Sequence, residues 1–313
     1  MQNNIALVGY TGFVGSNIAA TSNIANLYNT SNIESSFNTS PDLLIYAGLR
    51  AEKYIANSYP DKDLELIKEA INNIKKINPS KLVLISTIDV YDDANNVNED
   101  FLPNTEKLLP YGKNRLFLES WVEENFKEYC ILRLPGLYGR NLKKNFIYDY
   151  INKIPFKLKN DKFIELCNIN DSIKKYYKQS PDGYYQCNKL NKTEKQKLID
   201  ILRDVNFSAL NFTDSRGVFQ YYNLSELWKH INMCLDNNIK KINIATEPIS
   251  INELYYTLTN DNFENICTDN IPMYNFKTKY SHLFDGENGY IHPKEYVLND
   301  IKKFVQECQN NAM

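Results

Sequence analysis

Three glycines near the start of the chain have the spacing of a phosphate-binding turn. Gly9, Gly12 and Gly15 follow a short apolar run and open a segment of helical character. Glycines are needed in such a turn because the backbone bends tightly and must approach a pyrophosphate closely. The first N–H groups of the following helix, at the positive end of its dipole, then face the phosphates. An ordinary strand–turn–helix is the alternative, but the position directly after the first strand favours a dinucleotide site.

The residues predicted to hold the dinucleotide follow the first three strands. They are Gly9, Thr11, Gly12, Phe13, Val14 and Gly15 in the turn, Asn29, Thr30 and Ser31 after the second strand, and Ala47 and Gly48 after the third. No acidic residue is obvious for the ribose 2′-hydroxyl of NAD, because Glu34 lies beyond the expected end of the second strand. Neutral residues there tolerate a 2′-phosphate better than a carboxylate does, which favours NADP over NAD.

Further motifs follow the glycine turn in a definite order. Residues 85–91 begin at the end of the fourth predicted strand and include Thr87. The sequence Pro-Tyr-Gly-Lys-Asn-Arg spans 110–115. Glu119 and the segment 132–139 come after it. With the turn, these motifs resemble the extended short-chain dehydrogenase/reductase family, which includes nucleotide-sugar epimerases, dehydratases and reductases. The resemblance covers the first half of the chain well and 217–255 loosely. The whole chain is similar to reductase-like proteins of bacterial surface-polysaccharide clusters.

The resemblance implies catalytic roles for Thr87, Tyr111 and Arg115. In the family, a tyrosine exchanges a proton with the substrate alcohol or ketone while a hydride moves to or from the nicotinamide. A lysine four residues later lowers the pKa of the phenol and holds the nicotinamide ribose. Thr87 and Tyr111 match the family's hydroxyl and phenol, but Arg115 stands in the lysine position. Helical spacing places Arg115 on the face of Tyr111, where it keeps a positive charge and can bond ribose hydroxyls, although its shape differs from that of lysine.

Arg115 leaves two classes of function open. One is an active NAD(P)-dependent reductase or epimerase of a nucleotide-linked sugar. The other is a non-catalytic relative that binds the cofactor and acts as a sensor or partner protein. Dehydratase activity is disfavoured, because Ile88 and Asp89 occupy the acid and base positions of family dehydratases and an apolar side chain cannot donate a proton.

Two further residues are candidates for substrate binding. Asp89 can act as a base or contact substrate, with hydrogen bonding to backbone N–H groups as the alternative. Arg216 is the candidate ligand for a substrate diphosphate, since family members often carry an arginine in the returning segment. An exposed arginine with no such role is the alternative.

Strands and helices alternate along the first half of the chain, as a parallel α/β sheet requires. Apolar runs predict strands at 5–8, 26–29, 42–47, 81–85, 130–134, 218–222 and 242–245, and periodicity predicts helices at 13–20, 62–77, 111–126 and 224–235. The predicted fold class is α/β, a Rossmann-type doubly wound parallel sheet with a smaller C-terminal substrate lobe. The dinucleotide-binding domain comprises 1–157 and 217–250. The substrate lobe comprises 158–216 and 251–313, with a partly helical insertion at 158–200.

The bulk composition is typical of a cytoplasmic globular protein. A net charge of -2 without a basic patch predicts no nucleic-acid or anionic-membrane partner. No apolar run approaches the length of a membrane span, and no signal peptide precedes the first strand. Six scattered cysteines and three histidines predict neither disulfides nor a metal site, and free thiols fit a reducing cytosol. Cys130 is expected in the core. The resemblance implies a homodimer through the helices at 62–77 and 111–126.

Overall fold

The computed structural model describes residues 4–312, which divide into two compact units. The first unit contains the chain up to Leu142, Val218–Ile249 and Pro272–Asp300, and the second contains Lys143–Gly217, Ser250–Ile271 and the chain from Ile301. The strands are β1 Ile5–Val8, β2 Asn26–Tyr28, β3 Leu43–Tyr46, β4 Lys81–Thr87, β5 Tyr129–Leu134, β6 Gly136–Tyr138, β7 Lys157–Leu158, β8 Tyr177–Gln179, β9 Tyr185–Cys187, β10 Val218–Phe219, β11 Tyr221–Asn223, β12 Lys241–Asn243 and β13 Ile249–Ser250. The helices are α1 Phe13–Thr21, α2 Lys53–Ser58, α3 Pro60–Ile77, α4 Pro110–Asn125, α5 Phe146–Asn152, α6 Asn160–Ile169, α7 Lys192–Asp204, α8 Leu227–Asp236, α9 Ile251–Thr259 and α10 Lys294–Ala312.

The central sheet of the first unit has six parallel strands in the order β2-β1-β3-β4-β5-β12. The order reverses at β1, because β2 lies on one side of it and β3 and the later strands lie on the other. In a doubly wound sheet, the ligand crevice forms at the carboxyl ends of the strands beside such a reversal. The predicted α/β fold is confirmed, and the glycine turn that follows β1 lies at this reversal.

The sheet is covered on both faces, and the alternation of side chains along each strand separates two cores. One core contains Leu7, Ile45, Val83 and Leu132 of the strands with Ile18, Leu227 and Ile231 of α1 and α8. The other contains Val8, Leu44, Leu84 and Ile131 with Ile67, Ile74, Leu118 and Val122 of α3 and α4. Cys130 is fully buried in the first core, as predicted.

The two helices that carry the candidate catalytic region begin at prolines. Pro60 and Pro110 occupy the first helical turn of α3 and α4, where a missing N–H costs nothing and the ring sets the helical φ. Helix α3 ends at Ile77 and is followed by its C-cap Asn78, which adopts a left-handed conformation with a φ of 56°. No described helix is both long enough and apolar enough to cross a membrane.

The second unit has its own small core. Strands β7, β9 and β8 form an antiparallel sheet in that order. Phe163, Leu166, Tyr177, Leu198 and Leu202 pack together around it. Helix α7 begins with a reciprocal capping box between Asn191 and Glu194. The insertion predicted as partly helical is therefore helical in two segments, with short antiparallel strands between them that apolar periodicity did not indicate.

Three predicted boundaries differ from the observed ones. The strand expected at 218–222 is divided at Gln220, whose side chain bonds the backbone of Thr246 and Phe276. The strand expected at 26–29 ends at Tyr28. Residues 272–300, expected in the substrate lobe, lie in the first unit, because their backbone bonds to that of Val97 and Ala245 in this unit.

Candidate functional site

The glycine turn is held closed by contacts that leave no room for side chains at two of its glycines. Gly9 has a φ of +92°, and a Cβ there would lie 2.4 Å from the Ala47 carbonyl oxygen. A Cβ on Gly15 would lie 2.1 Å from the Gly9 carbonyl oxygen. Gly12 differs, because its Cβ would meet only the Gly9 oxygen, at 3.2 Å. Gly12 is also the N-cap of α1, so the space in front of this helix N-terminus is open to a ligand phosphate.

The segments after β2 and β3 adjoin this turn. Ala47 donates its N–H to the Val8 carbonyl, and Gly48 packs against the Val8 side chain. After β2, the Asn29 side chain accepts hydrogen bonds from both the backbone and the hydroxyl of Ser31. Thr30 and Ser31 are exposed, and exposed Glu34 lies in the following short 3₁₀ helix. The predicted cofactor residues therefore share one edge of the sheet, with neutral groups nearest the end of β2.

Thr87 and Tyr111 are brought together at the same edge of the sheet. Thr87 ends β4 and accepts a hydrogen bond from the N–H of Asp89, while Tyr111 lies in the first turn of α4. Gly112 permits this approach, because a Cβ there would lie 1.9 Å from the Asp89 carbonyl oxygen. Burial raises the pKa of the Tyr111 phenol above its ordinary value; Arg115 and a hydrogen bond with Thr87 act in the opposite direction without offsetting it.

Arg115 stacks on Tyr111 but directs its hydrogen-bond donors elsewhere. Its guanidinium carbon lies 4.6 Å from the centre of the Tyr111 ring. Nη1 and Nη2 form a two-bond ion pair with Asp63 of α3, at 2.9 and 3.1 Å, and Nη2 also donates to the Arg50 carbonyl. The side chains of Arg115 and Asp63 are only 4% and 7% exposed. Arg115 thus supplies positive charge beside the phenol, while the two nitrogens expected to bond ribose are committed to protein groups.

Asp89 belongs to a cluster of ionisable groups that the sequence did not indicate. Lys53 of α2 contacts Asp89 Oδ1 at 2.6 Å, and the Tyr274 hydroxyl lies 3.5 Å from the same oxygen. The other carboxylate oxygen lies 3.5 Å from the Thr87 hydroxyl. Burial disfavours the charged form of Lys53, but Asp89 and Tyr274 outweigh it, so the pKa of Lys53 is raised. The Asp89 carboxylate therefore contacts the side chains of Lys53, Tyr274 and Thr87. Hydrogen bonding to backbone N–H groups was the alternative role expected from the sequence.

Two cavities of the first unit meet at this cluster. One, of about 260 Å³, is lined by Lys53, Asp89, Tyr274 and Gly112 among others. The second, of about 190 Å³, is lined by Thr87, Asp89, Tyr274 and the turn that follows β5. Asp89 and Tyr274 line both cavities. A ligand that enters either one meets a hydroxyl or a charged group capable of proton transfer.

A buried network holds the strand end and the helix in place. Arg133 of β5 pairs with Glu119 of α4 through Nε and Nη2, and Ser86 of β4 donates to the same carboxylate. Arg133 also donates from Nη1 to the Tyr91 hydroxyl at 2.7 Å. Glu119 and Arg133, part of the motifs identified in the sequence, therefore join β4, β5 and α4 next to Thr87.

Arg216 lies in the second unit. Its guanidinium bonds both carboxylate oxygens of Asp214 at 2.9 Å and the Thr268 carbonyl at 2.7 Å. The Arg216 hydrogen bond holds the pKa of Asp214 well below its usual range. The arginine expected to bind a diphosphate thus joins the turn at Asp214 to the distant segment at Thr268.

No protein-family model matches the chain. No match in sequence was found among the curated proteins either.

Solved structures do match it over nearly its full length. RMD from Pseudomonas aeruginosa, complexed with NADPH, is 14% identical, with a TM-score of 0.62 and coverage of 98% of this chain and 99% of that one. The dTDP-4-dehydrorhamnose reductase of Bacillus anthracis, complexed with NADP, is 15% identical, with a TM-score of 0.60 and coverage of 98% and 99%. The UDP-glucose 4-epimerase of Thermotoga maritima, with UDP-glucose, is 13% identical, with a TM-score of 0.61 and coverage of 99% and 100%. The chain therefore has the α/β fold of nucleotide-sugar reductases and epimerases.

Proposed function

We propose that this chain is an NADP-dependent reductase or epimerase of the extended short-chain dehydrogenase/reductase family, acting on a nucleotide-linked sugar for bacterial surface polysaccharide. The observation that carries the proposal is the position of Thr87, at the end of β4, and of Tyr111, in the first turn of α4, at the sheet edge that also holds the glycine turn. The fold likeness to structures solved with NADPH, NADP and UDP-glucose supports it. The free cysteines, all within the described residues, agree with a cytoplasmic location.

The proposed chemistry is proton exchange at Tyr111. A bound nicotinamide would supply hydride to a sugar ketone or remove it from an alcohol. Tyr111 donates the proton that the ketone oxygen needs during reduction, and accepts one during oxidation. Thr87 orients the same oxygen. Arg115 offsets part of the cost of a phenolate in a buried position, since its charge lies over the ring.

Proton return to Tyr111 would use the cluster around Asp89. Tyr111 lies beside Thr87, Thr87 contacts Asp89, and Asp89 contacts Lys53, whose side chain is 43% exposed. This order connects a buried phenol with an ammonium group at the solvent. Lys53 thereby takes over proton supply in a site where the family lysine is an arginine.

Replacement of Lys53 tests this route. We expect Lys53→Met to lower kcat by about 10-fold, less than the roughly 100- to 10,000-fold of a direct general acid, with cofactor affinity unchanged. The pH dependence of kcat is measured beside it, since loss of the relay makes turnover depend on proton delivery from solvent. The control is Lys68→Met on the exposed face of α3. An identical kcat and pH profile in Lys53→Met and wild type would contradict the relay.

Cofactor binding is tested by substitution at Gly12. We expect Gly12→Val to abolish detectable dinucleotide binding while the protein stays folded, because the new side chain occupies the pyrophosphate space. The matched control is Gly15→Ala, whose Cβ would lie 2.1 Å from the Gly9 oxygen, so this variant should lower the thermal stability itself. Calorimetric titration and thermal melting separate the two effects. Undiminished binding by Gly12→Val would remove the proposed site.

The choice of cofactor and substrate is tested together. The neutral Asn29, Thr30 and Ser31 lead us to expect tighter binding of NADPH than of NADH in side-by-side titrations. With purified protein, NADPH and a panel of 4-keto nucleotide sugars, a reductase should give a fall in nicotinamide absorbance with at least one sugar, whereas an epimerase would leave the absorbance unchanged and convert a nucleotide sugar to its epimer. Equal or reversed affinities would indicate that Glu34 or another acid reaches the ribose.

A non-catalytic cofactor-binding protein is the second candidate. The engagement of Arg115 with Asp63 favours it, since the nitrogens expected at the nicotinamide ribose are already bonded. Tight NADPH binding with neither NADPH oxidation nor an epimerised sugar product would select this function.

We also propose a homodimer through α3 and α4. Leu66 and Phe117 are 40% and 48% exposed on these adjacent helices, and burial of such side chains would favour association. A dimer mass in sedimentation, reduced to monomer by Phe117→Glu, would support this interface.

A further inference from the structure

Two of the three histidines of the chain meet beside a carboxylate in the first unit. Glu226 precedes α8, and His230 follows four residues later, on the same side of the helix. His292 belongs to the distant segment just before α10. One potential ligand atom from each of these side chains lies within 4.8 Å of the other two. The scattered histidines predict no metal site, yet the fold brings two of them together.

The orientation of His230 suits a metal ligand. Its side chain is buried, and its Nδ1 lies 2.8 Å from the Tyr222 hydroxyl. A metal-bound histidine commonly uses its second ring nitrogen in such a contact, which holds the ring in position. With Nδ1 engaged, Nε2 remains for a ligand.

Two carboxylates, Glu226 and Asp300, lie at or close to this cluster. Glu226 accepts hydrogen bonds from Tyr296 and, at 2.9 Å, contacts His292 Nε2. A second carboxylate, Asp300, accepts from Tyr138 and Asn223. Among the ion pairs of the described residues, Glu226 has only the histidine as a partner and none includes Asp300. A divalent cation would offset the negative charge of these carboxylates.

We propose that Glu226, His230 and His292 form a binding site for a divalent transition metal ion of the Zn²⁺ class. Two imidazole nitrogens and one carboxylate oxygen are a ligand set that such ions prefer, with water in the fourth position. The side chains of Glu226 and His292 are 21% and 16% exposed, which gives the ion access and leaves room for the water. The bound ion would join the start of α8 to the segment before α10.

The test is Zn²⁺ titration of tag-free, chelator-treated, reduced full-length protein by calorimetry, with Co²⁺ absorbance as a probe of ligand geometry. We expect wild-type binding at one site, weakened about 100-fold or more in His292→Ala and in Glu226→Gln, a loss at or beyond the usual effect of outer-shell residues. The matched control is His282→Ala, which removes the exposed third histidine and should bind like wild type. Zn²⁺ should also raise the melting temperature of wild type and not of His292→Ala.

Several results would overturn the site. They are wild-type affinity no greater than that of His292→Ala, an equal loss in His282→Ala, and no Zn²⁺ binding by wild type. Both site substitutions are at partly exposed side chains, so melting curves without metal can establish that the variants fold. The outcome is independent of the proposed enzyme activity, since binding is measured without cofactor or sugar.

Discussion

Replacement of Tyr111 by phenylalanine should lower turnover by about 100- to 10,000-fold, the usual contribution of general acid catalysis. The variant removes only the hydroxyl that is proposed to donate to the substrate oxygen. We expect folding and NADPH affinity to survive, because one hydrogen bond contributes about 0.5–1.5 kcal/mol to stability. Turnover, NADPH affinity and melting temperature are measured for the variant and wild type.

The matched control for this experiment is Tyr54→Phe. Tyr54 lies on α2 and is 75% exposed, and its substitution removes a phenolic hydroxyl that is not part of the proposed chemistry. Its turnover should equal that of wild type. If Tyr111→Phe also turned over at the wild-type rate, Tyr111 could not be the proton donor. The proposed mechanism would then have to move to another phenol, of which Tyr274 is the one that lines both cavities.

Replacement of Arg115 by methionine should destabilise the protein by about 3–5 kcal/mol, because it leaves the buried carboxylate of Asp63 without its charged partner. That loss is a large part of the 5–15 kcal/mol by which a protein is usually stable. Urea unfolding measures it. The same variant removes the positive charge over the Tyr111 ring, so any remaining folded protein should also show reduced turnover.

A double substitution separates charge burial from packing in this experiment. Asp63→Asn removes the unpaired charge, so the Arg115→Met, Asp63→Asn protein should be more stable than Arg115→Met alone. Arg115→Lys keeps the positive charge but loses the two-bond geometry, and its stability should be intermediate. We expect it to retain turnover, or to gain turnover if the compact ammonium can also reach ribose. If Arg115→Met lowered the free energy of unfolding by less than about 1 kcal/mol, the Arg115–Asp63 ion pair would not be a main source of stability for α3 and α4.

The local features of the site could be predicted from the sequence. The glycine turn after β1 and the helix that begins near Tyr111 follow from patterns within a few residues, whereas Thr87 and Tyr111 were singled out by the resemblance to a known family. Such patterns carry information because backbone dihedral angles, strand alternation and helix periodicity are set locally. The order of the elements then sufficed for the parallel sheet, since consecutive strands joined by helices lie side by side.

The partners of those residues depended on the tertiary structure. Asp63 pairs with Arg115, Lys53 and Tyr274 meet at Asp89, and Glu226 meets His292 across long separations in the chain. No periodicity relates such pairs, because their contact results from how α2, α3 and the segment at 272–300 pack within the first unit. The sequence therefore determined which groups stand at the sheet edge. Only the packing decided that Arg115 pairs with the carboxylate of Asp63, which alters the electrostatics around Tyr111. The packing likewise decided that Lys53 contacts Asp89.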